Sequence, residues 1–506
     1  SETTMANVFQ AAGYQTAMFG KWHLGDNYPY RPQDRGFNHV VSHKGGGVGQ
    51  TPDFWGNNYF NDTYFNDGEP VVHNGYCTDV WFEEAIRFIE KCTNGLSSEE
   101  SEGHSNDPFF VYLATNAPHS PYLVSEEYAK PYRKNPNVPE PEFSGMIANI
   151  DANFGRLRRK LAELELEQNT ILVFMTDNGS SGGCELDDKH HFVRGYNAGM
   201  RGKKGSLYDG GHRVPFLLRW PNGGYDNGRE VNEMIHHIDV LPTFAELCDL
   251  DVAELVFDGQ SVVQLLQGNQ SRLTNDRIQF LQYRQNTSPP EKWDNVVMTR
   301  QWRLVAGEEL YDIKADPGQR SNLAKNHPEK VNQLRSAHEM WWEEIAKGLE
   351  EYSPIVLGHK SENPTRLCAM DVLGDVAWHQ THISEAKRST GTWSVRFEQP
   401  GYYRFSLRRW PAELGLPIDG AIPAEDAQNL VYAPEKANSV EIRPVSGQLK
   451  LYDIDLYHPV NRGDTSTNFT LDITCTHTTI LSASFIDLVG ERQGAYYVDV
   501  ERLGKN

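Results

Sequence analysis

Two hydrophobic rhythms alternate along the first half of the chain. Residues 15–19, 109–114 and 170–176 are short apolar runs of strand length, and the last two read as fully buried strands. Between and around them the spacing is helical. Over 78–92, Trp81, Ala85, Phe88, Ile89 and Cys92 share one face. Further on, Ile147, Ile150, Phe154, Leu157, Leu161 and Leu164 step by three and four, the mark of a helix laid on a sheet. Strand, helix and strand in alternation predict an α/β fold with a mixed sheet sandwiched by helices. Residues 4–12, closed by Gly13, read as the end of a helix. Residues 26–77, rich in Gly, Asn, Asp and aromatics, read as a long loop, and 93–107 as a surface insertion. A further strand is expected over 213–220 and a helix from Ile238 to Cys248.

The pattern then changes twice. Short alternating strands at 277–283, 295–299 and 302–305, followed by a helix over 329–349, predict a small antiparallel α+β subdomain. Beyond Tyr352 the helical spacing fades, and 393–397, 402–407, 448–454, 468–474 and 479–486 alternate in the strand manner, which predicts a C-terminal β-sandwich. The expected domains are residues 1–274, 275–353 and 354–506.

Length and charge narrow the function. A chain of 506 residues accommodates several domains without help from disulfides. A net charge of −21 argues against a nucleic-acid partner, so an anionic substrate has to meet a local basic pocket. No run approaches the roughly 18 apolar residues of a membrane span. The six cysteines show no C-x-x-C spacing, so neither a zinc site nor a dense disulfide framework is indicated. The chain opens on Ser1 and not on Met, and the expectation is that a segment precedes it.

Polar clusters follow three of the strands: Lys21 and His23 after the first, His119 after the second, Asp177 and Asn178 after the third. The carboxyl ends of strands are where α/β sheets hold ligands. Each cluster alone reads equally well as an ordinary turn, and Asn178-Gly179 is a favoured turn pair. The combination says more. Asp177 and Asn178 are hard oxygen donors suited to Ca²⁺, with Mg²⁺ second, while Lys21, His23, His119 and Lys204 suit an oxyanion and a leaving oxygen that needs a proton. That set describes hydrolysis of a sulfate or phosphate ester. Lys204 lies in a glycine-rich loop, 201–211, without the P-loop spacing. Phe54, Trp55, Tyr59, Tyr64 and Phe65 are candidates to stack on a sugar, or else ordinary loop packing. His236, His237 and Asp239 read as holding a helix start.

Gly20-Lys21-Trp22-His23-Leu24-Gly25, Ala117-Pro118-His119-Ser120-Pro121, Thr176-Asp177-Asn178-Gly179, Lys204-Gly205-Ser206-Leu207-Tyr208-Asp209-Gly210-Gly211 and Leu310-Tyr311-Asp312-Ile313 occur in one order. In these motifs the chain resembles the formylglycine-dependent sulfatases of arylsulfatase type, over residues 1 to about 350, and the tail looks like the extra β-domain of some bacterial sulfatases. The resemblance implies an alkaline-phosphatase-like fold, calcium bound by Asp177 and Asn178, and a sulfated small molecule or saccharide as substrate. It implies that Lys21 binds sulfate and the hydrated aldehyde, that His23 takes a proton from that hydrate, and that His119 and Lys204 grip the sulfate and assist departure of the alcohol. Lys203 competes for the Lys204 role. The resemblance also implies a secreted or periplasmic location.

One departure stands out. The family's nucleophile is a cysteine in C-x-P-S-R, oxidised to formylglycine, and no cysteine here has that context. The aspartate pair of the family's first strand is missing too. The expectation is a sulfuric ester hydrolase whose nucleophile lies outside these residues, the chain by itself being inactive. The alternatives are a catalytically dead protein that binds sulfated glycan, and a phosphoester or phosphonate hydrolase.

Overall fold

The computed structural model describes residues 2–94, 107–268, 277–284, 288–349, 351–434, 437–474 and 476–504. The insertion expected over 93–107 falls almost wholly outside the described residues, as do Ser1 and Cys475; the other five cysteines are free thiols. The chain forms two compact units, residues 1–116 with 352–506, and residues 117–351.

In the first unit a five-stranded mixed sheet comprises β1 (Gln15–Lys21), β2 (His39–His43), β3 (Thr63–Asn66), β4 (Glu69–Val72) and β5 (Phe109–Ala114), in the order β4-β3-β2-β1-β5. β1 runs parallel to β2 and β5, with Gly20 opposite Ser42 on one side and Ala114 on the other, so three strands end at one edge. Helix α1 (Met5–Ala11) has its own N-terminus: the Thr4 hydroxyl accepts from Asn7 N at 3.2 Å and the Asn7 side chain accepts from Thr4 N in return. It is a short complete helix and not the end of a longer one. Helix α2 (Cys77–Asn94) buries Trp81, Ala85, Phe88 and Ile89, as its spacing predicts.

Two expectations change here. Residues 26–77 hold β2, β3 and β4, which escape notice because each is only four or five residues long and β4 is exposed throughout. β5 is half-buried, with Tyr112 46% exposed, because it is the edge strand of its sheet.

The C-terminal part of this unit is the expected sandwich. One sheet runs Ile355–Leu357, Gly391–Phe397, Thr478–Asp487, Pro444–Leu451, Ile454–Pro459; the other runs Thr365–Cys368, Tyr497–Gly504, Gly401–Arg408, Thr467–Ile473. Trp393, Phe397, Tyr403, Phe405, Leu449, Phe469 and Phe485 form its core. The run 448–454 is not one strand: Tyr452, at φ +56°, turns the chain, and Ile454 begins the next.

The second unit carries helix Pro141–Glu163, the antiparallel pair Leu172–Met175 with Phe216–Arg219, and helix Val240–Leu247. Leu172–Met175 is half-buried, with Met175 41% exposed, and so differs from the buried strand its composition predicts. A four-stranded antiparallel sheet (Gln279–Gln282, Asn295–Met298, Trp302–Val305, Glu309–Asp312) packs Val297, Leu304 and Leu310 against Val331 and Leu334 of helix Pro328–Ile345. Asp239 holds the helix start, accepting from His236 N at 2.8 Å, Gln260 N at 3.0 Å and the Arg277 guanidinium. Among the described residues no helix is long and apolar enough to cross a membrane.

Candidate active site

The chemistry-bearing residues form one group in each unit. In the first, β1 ends at Lys21, whose register partner on β2 is His43. Gly20 has φ +105°, and a Cβ there would lie 2.1 Å from the Ala114 carbonyl oxygen, so only glycine lets β1 and β5 approach at this edge. Trp22 then anchors the chain, donating Nε1–H to Tyr30 O at 2.8 Å and meeting Phe37 edge-on. His23 follows in the left-handed region at φ +58°, a strained setting for a side chain with a Cβ and one concentrated at functional sites. Its exposed ring faces Gly46, where an added Cβ would come within 2.4 Å of Cε1.

In the second unit three separate segments converge. The turn after strand Leu172–Met175 carries Asp177 and Asn178; Gly179 N donates to Gly211 O at 2.9 Å, and a Cβ on Gly179 would overlap the Gly210 carbonyl. Lys204 N donates to Ser180 O at 2.9 Å, which fastens the lysine loop beside that turn. Ser181 Oγ donates to Pro118 O at 3.3 Å and brings in the segment of His119. His119, Asp177, Asn178 and Lys204 are thus gathered in one unit. Lys204 is half-buried, whereas Lys203 is exposed and its charge reaches Cys184. The His119 ring lies with Nδ1 2.6 Å from Ser120 O. A carbonyl only accepts, so Nδ1 carries the hydrogen and Nε2 is left as the ring's acceptor atom.

Sequence reasoning missed what braces the lysine loop. Asp209, fully buried, accepts from Arg303 Nε at 2.8 Å, with Arg213 at 3.7 Å. The Arg201 guanidinium lies 3.7 Å from the Tyr208 ring centroid and donates to Tyr311 Oη at 2.8 Å; both tyrosines donate to Glu309 Oε2. The Tyr208-Asp209 and Leu310-Tyr311 motifs therefore fix the loop. The Arg303–Asp209 pairing was hidden because the two stand 94 positions apart. Among the aromatics singled out, Tyr59 and Tyr64 are 0% and 1% exposed, so they belong to the core and cannot stack on a ligand. Trp55 packs on Trp410.

Asp177 and Asn178 bear two hard oxygens side by side, with Asn178 Nδ2 donating to Asp177 Oδ1, which turns the amide oxygen away from the carboxylate. Carboxylate and amide oxygens are the donor types that a Ca²⁺ shell takes. Among the described residues no three His, Cys, Asp or Glu side chains gather as a metal-like cluster.

Residues 1–250 match the family model described as Sulfatase, and residues 202–344 match N-sulphoglucosamine sulphohydrolase, C-terminal. The uncharacterized sulfatase YdeN of Escherichia coli is 26% identical over 300 residues, 53% of this chain and 47% of that protein. An N-acetylgalactosamine-6-O-sulfatase of Bacteroides thetaiotaomicron is 27% identical over 409 residues, 65% of this chain and 75% of that protein. The chain spans about half the length of several curated relatives it matches. A crystal structure of Ps i-CgsB in complex with k-i-k-neocarrahexaose aligns with TM-score 0.56 and 24% identity, over 67% of this chain and 74% of that one. The fold is that of the alkaline-phosphatase-like sulfatases. Through its matched residues, 1–344, the chain belongs to the sulfatase family of hydrolases.

Proposed function

We propose that the protein hydrolyses the sulfate ester of a saccharide by the calcium- and formylglycine-dependent route of its family, with the nucleophile supplied by residues outside these 506. The observation that carries this reading is the convergence of His119, Lys204, Asp177 and Asn178 on one turn-and-loop pair, tied by Lys204 N to Ser180 O and Ser181 Oγ to Pro118 O. Asp177 and Asn178 would hold Ca²⁺ in part, which would supply positive charge, and a formylglycine outside these residues would supply the attacking oxygen. In the second unit Lys204 would neutralise sulfate oxygens, and His119 Nε2, with Nδ1–H fixed on Ser120 O, would deliver a proton to the departing sugar oxygen. By the family resemblance, Lys21 and His23 of the first unit would take the sulfate-binding and base roles. The same reading puts the protein in a secreted or periplasmic setting.

The test is sulfate release from N-acetylgalactosamine 6-sulfate, measured for the 506-residue chain and for the chain extended with the residues encoded upstream. The extended protein is expected to release sulfate and the shorter one not. Turnover by the shorter chain, or an upstream sequence without a C-x-P-S-R cysteine, overturns the mechanism. The absence of that motif from these residues also favours a second reading, a non-catalytic binder of sulfated glycan. It predicts sugar binding with no sulfate release from either form.

A further inference from the structure

One short loop, residues 44–50, lies against both the candidate base and the C-terminal sandwich. Gly45 N donates to Asp26 Oδ2 at 2.9 Å. Gly46 covers the His23 ring. At Gly47 a Cβ would lie 2.9 Å from Tyr432 Oη, and Gln50 forms a β-bridge with His379. Thr51 N donates to Trp378 O at 3.2 Å, and Gln380 N donates to Gly49 O at 3.3 Å. Within this unit, therefore, Trp378, His379 and Tyr432, all far along the chain, stand beside the loop that covers His23.

The groups gathered there are suited to a sugar. Tyr432 stacks on His379 with centroids 4.9 Å apart and 15° between planes, and His379 lies 3.7 Å from His382. Burial holds both imidazoles down to about 4, so near neutral pH they are uncharged and each offers a donor and an acceptor. Trp378 is 36% exposed, an aromatic surface of the kind that packs on the C–H face of a pyranose. Asp371 is exposed at its edge, yet protein crowding, with the neighbouring charge of Asp26, pushes its carboxyl up to about 7. Lys44 offsets the two carboxyls, its charge reaching both.

Resting on the sulfatase reading, we propose that the C-terminal β-sandwich builds a saccharide subsite beside His23. In it Asp371 and Asp26 receive sugar hydroxyls and Trp378, His379 and Tyr432 hold the ring. A site with two carboxyls against one lysine favours a ring bearing hydroxyls over one bearing further sulfates.

The test is calorimetric titration of the full chain with N-acetylgalactosamine 6-sulfate, k-i-k-neocarrahexaose and inorganic sulfate, in wild type, Asp371→Asn, Trp378→Ala and His379→Ala, with thermal unfolding of each variant as the folding control. At least one sugar is expected to bind the wild type and to lose about tenfold or more in affinity in Asp371→Asn and Trp378→Ala, while the affinity for inorganic sulfate stays within about twofold. Equal losses for sugar and sulfate, no loss in either variant, or no sugar bound by the wild type overturns the subsite. Sugar that binds through these residues but is never desulfated by the extended protein leaves the subsite standing and removes the catalytic reading.

Discussion

Asp209 and Asp53 are both buried, each at the base of a loop that presents candidate chemistry, and they are held in opposite ways. Asp209, beneath the Lys204 loop, faces Arg303 at 2.8 Å and Arg213 at 3.7 Å. Asp53, beneath the loop that covers His23, accepts from neutral donors: Gly49 N at 2.9 Å, Asn57 Nδ2 at 3.1 Å and Lys44 N at 3.3 Å. Around Asp53 the support is mostly backbone and amide. Gln380 Nε2 donates to the carbonyls of Gln50, Asp53 and Phe54, its Oε1 accepts from Gly56 N, and Tyr497 Oη donates to Thr51 O. The loop proposed to grip an anion is thus locked by paired charge, whereas the loop at the sandwich is tied by hydrogen bonds from residues more than 300 positions away.

Removing a charge should separate the two regions most sharply. Arg303→Ala leaves the Asp209 carboxylate buried beside only the longer Arg213 contact, and is expected to cost about 3–5 kcal/mol in urea unfolding. Destabilisation near zero would mean that the ion pair is not what fixes the lysine loop. A smaller loss, about 2–3 kcal/mol, is expected for Gln380→Ala, which strips one amide from three carbonyls and one N–H. If Gln380→Ala cost more than Arg303→Ala, the contrast drawn between the two loops would be reversed.

The third effect is a slope with pH. Burial, opposed by its hydrogen bonds, pushes Asp53 up to about 7, against about 3.9 in an unfolded chain. The folded state holds this proton more tightly than the unfolded state. The stability it contributes is complete below about pH 4 and is lost as the pH rises through about 7. Asp53→Asn should therefore flatten the decline in stability between pH 4.5 and 8, read from unfolding midpoints. An unchanged slope would show that Asp53 ionises as an ordinary carboxylate.

How much the sequence discloses follows the same division. β1 is legible as a continuous apolar run, and α2, the helix Pro141–Glu163 and the sandwich strands because a single period runs through each, as when Tyr403, Phe405 and Leu407 point inward between the outward Tyr402 and Arg404. β2 to β4 are not, since each is too short to set a period. Glycines and polar turns marked where His23, His119, Asp177 and Lys204 would stand. What holds those turns was hidden, because Arg303 and Gln380 act over 94 and 324 to 330 positions and nothing local about either residue signals its partner.

The central claim is that these loops serve a sulfate ester, and the most direct measurement is initial sulfate release from N-acetylgalactosamine 6-sulfate by the upstream-extended protein and its Lys204→Ala variant, beside phosphate release from the matching phosphate ester. The account expects release with the sulfate ester preferred, and a fall of about 100-fold or more in Lys204→Ala, the usual loss when one oxyanion donor is removed. Faster release from the phosphate ester, or undiminished activity without Lys204, would contradict it.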